Sequence, residues 1–120
     1  MKTVRTRELH GAELDYAVAV VLGLPARLHH GTCRVDGIPF RTSTEWAAGG
    51  PVLESRRVEI NPPNPLHATR QDWFARCLIT PGVSGLAFGM GATPLEAAMR
   101  AVVASEFPLS IELPTPGTWT

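Results

Sequence analysis

The sequence predicts an α+β domain: an antiparallel sheet of three or four strands with two helices packed on one face. Three observations predict it. Two apolar segments, Trp73 to Thr80 and Leu86 to Met90, are joined by Pro81-Gly82-Val83-Ser84-Gly85, the composition of a turn between neighbouring antiparallel strands. Directly behind them, Thr93-Pro94-Leu95-Glu96 opens the run Thr93 to Phe107 as a helix. Thr93 can accept from the free amides of the first turn, Pro94 sits where its missing N–H is harmless, and Glu96 can complete a capping box. Earlier in the chain, Leu14, Ala17, Val18, Val21 and Leu22 recur at the spacing of one buried helical face. Helix, strands, helix is the order of a segregated α+β fold.

Taken in order, Lys2 to Arg5 suits a short edge strand, and Leu14 to Leu22 is a helix that Gly23 and Pro25 stop. Ala26 to Asp36 has no clear period. Asp36-Gly37 supplies the positive φ of a tight hairpin turn, so Ile38 to Thr42 is read as a strand. Ser43 to Ala48 is read as a single helical turn closed by Gly49-Gly50-Pro51, and Val52 to Ile60 as a strand with an irregularity at Arg56-Arg57. Asn61-Pro62-Pro63-Asn64-Pro65 starts a loop running to Asp72, because its prolines remove ladder donors. The last helix buries Leu95, Ala98, Met99, Val102 and Phe107, Pro108 ends it, and Leu109 to Leu113 adds an edge strand. Residues 1–120 make one domain with 114–120 as a tail. The second face of the sheet calls for cover, so a homodimer is expected.

Eleven basic residues balance eleven acidic ones, which leaves no global field to attract polyanions or anionic membranes. Ten of the basic residues are Arg. The longest apolar stretch, Tyr16 to Leu24, falls short of the ~18 residues of a membrane span, and no apolar leader follows Met1, so the chain reads as cytoplasmic. Cys33 and Cys77 then read as free thiols.

Three clusters are candidates for chemistry or binding. His29, His30 and Cys33 offer soft ligands or a thiol–imidazole pair within five positions, but structural zinc takes about four ligands, and no orienting carboxamide or carboxylate accompanies the thiol. A solvated loop is the simpler reading, and neither metal nor cofactor is expected. Trp46 beside Gly49-Gly50-Pro51 puts a large flat side chain near open backbone, as recognition surfaces do; the plainer alternative is a tryptophan plugging the core. Arg70, Trp73 and Arg76, with Arg56 and Arg57, could stack bases or bind phosphate, or could form a sheet rim paired with Glu54, Glu59 and Asp72.

Three blocks, Glu8 to Ala19, Ser43 to Glu54 and Thr93 to Ser105, resemble the NinX-like family of small proteins from lambdoid phages and prophages. The resemblance implies no catalytic residues, since the family has no established activity. Within the blocks Asp15, Trp46, Glu54 and Arg100 are the polar or aromatic matches and so the positions with most to offer beyond packing. Trp73 to Ala101 is also similar to the antitoxin half of HicB-type proteins, whose fold is related to double-stranded-RNA-binding domains, although here the last helix sets only Arg100 against Glu96 and Glu106. The expectation is a non-enzymatic phage or prophage accessory protein that binds a host or phage protein through Trp46, Gly49, Gly50, Glu54, Asp15 and Arg100. The alternative is a nucleic-acid-binding domain using Arg56, Arg57, Arg70, Trp73 and Arg76.

Overall fold

Short strand-forming stretches punctuated by glycine and proline favour several small sheets, and the computed structural model, which describes residues 1–63, 72–78 and 85–114, contains three. The order is β1 (Lys2–Arg5), a 3-10 turn (Thr6–Glu8), α1 (Gly11–Val21), β2 (Ala26–His29), β3 (Thr32–Val35), β4 (Ile38–Pro39), α2 (Trp46–Arg56), β5 (Glu59–Asn61), β6 (Trp73–Leu78), β7 (Leu86–Gly91), α3 (Pro94–Ala104) and β8 (Ser110–Leu113). The α+β class and the antiparallel pairing are those the sequence predicts. The single sheet divides into β1–β8, β2–β3–β4 and β5–β6–β7.

The chain termini supply one of these sheets, Lys2 pairing with Leu113 and Arg5 with Ser110, so both predicted edge strands exist and each is the other's partner. The stretch without a readable period folds as a hairpin. His30 and Gly31 have φ of 48° and 76° between β2 and β3, the same left-handed pair as Asp36 and Gly37, at 53° and 78°, between β3 and β4. Two consecutive two-residue turns of this hand match the twist of short strands. The strand after Asp36-Gly37 stops at Pro39 instead of reaching Thr42.

Helix α3 is the centre of the molecule. Its Leu95, Ala98, Met99 and Val102 are buried as the periodicity requires, and so are Ala97, Ala101 and Val103, because the helix is covered on more than one side. One side lies on β6 and β7 through small residues: a Cβ on Gly89 would overlap the backbone of Ala97 and Ala101, and the Cys77 thiol reaches the Ala101 carbonyl at 3.2 Å. Helix α1 packs against α3 and against β2 and β3, with Leu14, Ala17 and Val18 wholly buried. At ~1.5–3 kcal/mol per large side chain, burial of these stripes outweighs any propensity term.

The start of α3 follows the predicted cap with one change. Thr93 Oγ1 accepts from Glu96 N–H at 3.1 Å, while Glu96 Oε1 accepts from Ala92 N–H at 3.2 Å, one residue ahead of the cap itself.

The second helix corrects the sequence reading most. Trp46 to Arg56 is one continuous helix through Gly49-Gly50-Pro51, where a single turn and then a strand were expected. Gly49 is buried where α2 passes close to Thr42 and Leu95, so the glycine serves packing rather than termination. Arg57, at φ 51°, takes the left-handed C-terminal position and Val58 N–H returns to the Leu53 carbonyl at 3.0 Å, a Schellman closure. The irregularity at Arg56-Arg57 is therefore a helix end, and only Glu59–Asn61 remains a strand.

Candidate functional site

The three α-helices of the described residues all begin beside one groove. Gly11 at the start of α1, Trp46 at the start of α2, and Thr93, Pro94, Leu95 and Glu96 at the start of α3 line it together with Ser43 and Thr44, around a volume of about 400 Å³. Neither α1 nor α2 has a side-chain cap, which leaves their first-turn N–H groups without intrahelical acceptors. Trp46 is 55 % exposed. A tryptophan normally buries most of its area, so this one offers a flat apolar surface and an indole donor to solvent.

The segment ahead of α2 is held by Asp15. This carboxylate, almost fully buried, accepts from the Ser43 amide at 2.8 Å and from the Thr42 hydroxyl at 3.4 Å. Burial pushes its pKa above the ordinary carboxylate value, and the Ser43 and Thr42 hydrogen bonds pull the other way. Asp15 therefore supports the groove from behind. Ser43 itself is buried, and its hydroxyl has no hydrogen-bond partner among the described residues.

The other sequence-predicted residues separate into surface and scaffold. Gly49 is inside: a Cβ there would stand 2.5 Å from the Thr42 carbonyl oxygen and 2.8 Å from Leu95 Cδ2. Gly50 faces open space, and Glu54 is exposed on α2. Arg100 is a tie. Its Nε donates to the Leu9 carbonyl at 2.8 Å, its Nη1 to the Met90 carbonyl at 2.7 Å, and Nη1 lies 3.2 Å from Glu96 Oε1. It thus joins the approach to α1 with β7 and the start of α3.

The arginine group is divided. Arg76 forms a two-point ion pair with Glu59, Nε–Oε2 2.6 Å and Nη2–Oε1 3.0 Å, which lowers the Glu59 pKa and raises that of Arg76. Trp73, three positions earlier on β6, belongs to the opposite face of the sheet by strand alternation and is half-buried. Arg56 donates to the Val21 carbonyl at 3.3 Å, and Arg57 closes α2. Arg70 lies outside the described residues.

His29, His30 and Cys33 are also parted. His29 and His30 are exposed with their rings edge to face, 4.1 Å between centroids, whereas Cys33 pairs with Leu28 across the hairpin and both are buried. Burial, with the nearby Asp15 charge, pushes the Cys33 thiol up to about 12. No group of three or more metal-binding side chains forms among the described residues.

One surface escaped the sequence reading. On β6 and β7 the outward positions are Phe74, Arg76, Leu78, Leu86, Phe88 and Met90, and Phe74 stacks on Phe88 with centroids 5.5 Å apart. Leu78 is 63 % and Phe88 53 % exposed. Its signal lay in Leu86-Ala87-Phe88-Gly89-Met90-Gly91: large and small residues alternate, and the small ones face the helix.

A family model described as bacteriophage P22 NinX matches residues 5–106 of the 120. The chain belongs to that family. No curated protein matches it. The NinX span takes in all three blocks singled out in the sequence, the whole helix-start groove and the β5–β6–β7 sheet, and it ends before β8. It also covers Trp73 to Ala101, the stretch compared with HicB-type antitoxins, and the hairpins β2–β4 that carried no family likeness in the sequence. No helix among the described residues of this NinX-family chain is long and apolar enough to cross a membrane.

Proposed function

We propose that this phage accessory protein acts without catalysis, by binding another protein through the helix-start groove, with Trp46 as the anchor. The observation that carries the reading is the exposure of Trp46 at the rim of a concave surface lined by Pro94 and Leu95. Interface hot spots are enriched in tryptophan, and a flat apolar ring beside a shallow groove is the kind of anchor they use. The unclaimed amides at the starts of α1 and α2 add donors suited to carbonyl or carboxylate oxygens of a partner. Asp15 and Gly49 support the surface from beneath, while Gly50 and Glu54 lie further along α2. The burial of Cys33 and Cys77 and the distribution of the histidines favour a binding role over a chemical one.

Capture from phage-infected cells with the wild-type chain and a Trp46→Ala variant of equal melting temperature tests the proposal. A defined partner retained by the wild type and lost from the variant supports it. Equal recovery of the same proteins by both removes it.

A further inference from the structure

The β2–β3–β4 sheet turns one face to α1 and the other outward. Leu28 and Cys33, paired in the register, are buried on the inner face, so Arg27 and Arg34, the next directly opposed pair, belong to the outer one, and His29 follows Arg27 on that same face. Directly opposed residues hold their Cβ atoms about 5 Å apart, and like charges placed so are destabilising. No carboxylate relieves this pair: neither Arg27 nor Arg34 forms an ion pair among the described residues. Arg34 Nη1 donates to the Gly37 carbonyl at 3.0 Å, which ties its guanidinium to the β3–β4 turn. Arg27, His29 and Arg34 line a depression of about 300 Å³ together with Pro25, Asp36 and Gly37.

We infer that this depression binds a single phosphate group, free or carried by a small molecule. A guanidinium presents a fixed fork of N–H donors that matches phosphate oxygens two at a time, so two opposed arginines grip one anion from both sides. The His29 ring adds an N–H in either neutral tautomer. An anion between the two cations replaces their mutual repulsion with two attractions, which is the relief that the fold itself does not supply.

The Asp36 carboxylate lines the same depression and opposes an anion there. It is exposed, it pairs with neither arginine among the described residues, and the two cations outnumber it. With Asp36 at the rim and no net charge on the chain, one phosphate suits the site better than a nucleic-acid strand, whose affinity comes from many phosphate contacts at once.

Amide chemical shifts of the full chain, followed by NMR as inorganic phosphate or adenosine monophosphate is added up to about 10 mM against chloride of matched ionic strength, test the inference in a range suited to a weak site. Both probes should move the amides of residues 25–37, and Arg27→Gln or Arg34→Gln should each weaken binding at least ~10-fold. Equal affinity for the two probes assigns the site to the phosphate alone, and tighter binding of the nucleotide assigns it to a carried group. Thermal midpoints give a second reading. In chloride Arg27→Gln should melt above the wild type, because it removes the like-charge opposition, while phosphate should raise the wild-type midpoint by more than that of the variant; general salting-out stabilisation is common to both. No phosphate-specific shift at residues 25–37, equal binding by the wild type and both variants, or a single-stranded oligonucleotide bound at this face more tightly than either probe would each overturn the inference. Trp46→Ala should bind phosphate as the wild type does, which separates this result from the test of the groove.

Discussion

Gly89 sits where β7 lies directly against the backbone of α3. Since any Cβ there meets the α3 backbone rather than a movable side-chain end, Gly89→Ala should destabilise the fold by about 3 kcal/mol, read as a large fall in thermal midpoint; a midpoint near that of the wild type would contradict the packing described. Gly50 is the opposite case. It lies inside a helix with nothing within reach of an added methyl, so Gly50→Ala should stabilise by roughly 0.5–1 kcal/mol in urea unfolding. Two adjacent glycines that look alike in sequence thus have different work, and only a neighbouring backbone distinguishes Gly49 from Gly50.

Asp15 gives a prediction with a sign. Its folded-state pKa is raised by burial, so the neutral acid is the form the fold prefers, and the contribution of Asp15 is fully present below the ordinary value of 3.8 and declines as pH rises through the folded pKa. Asp15→Asn keeps an oxygen for the Ser43 amide and removes the charge; its stability should fall less than that of the wild type over that rise in pH. Asp15→Ala strands a buried N–H and should cost ~1–3 kcal/mol at neutral pH. Chemical denaturation from pH 4 upwards of the three proteins compares them directly, and parallel curves for wild type and Asp15→Asn would refute the assignment.

Among the elements, α1 and α3 were legible because each has an uninterrupted 3.6-residue stripe and a recognisable stop or cap. Thr93→Ala should cost about 1 kcal/mol through the loss of its bond to the Glu96 amide, measured by thermal unfolding. Helix α2 was illegible for a physical reason: Gly49, Gly50 and Pro51 are local stop signals, yet Gly49 fits against Thr42 and Leu95, and the Arg57 Schellman end lies six residues beyond Pro51. Tertiary packing overrides propensity there. The β2–β3 hairpin was missed because His30-Gly31 is a less familiar left-handed pair than Asp36-Gly37, although the backbone treats the two alike. Candidate site residues were readable only as types. Trp46 stands out by size, but nothing in the sequence signals that three helix starts meet beside it, and Leu86 to Met90 reads only as a strand, without its faces.

At the scale of the whole molecule, α3 holds the fold and leaves two different surfaces free. Around its N-terminus lies the groove with Trp46; across β6 and β7 from it lies the apolar sheet face with Phe88. The NinX match embraces both. Trp46 lies on the groove and Phe88 on the sheet face, so a single substitution at each tests the two surfaces separately. The most direct measurement is therefore a paired capture from infected cells with Trp46→Ala and Phe88→Arg, each first matched to the wild type in melting temperature. The account predicts that Trp46→Ala loses the partner and Phe88→Arg keeps it. Retention of the partner by Trp46→Ala, with or without its loss from Phe88→Arg, would contradict the groove as the binding surface.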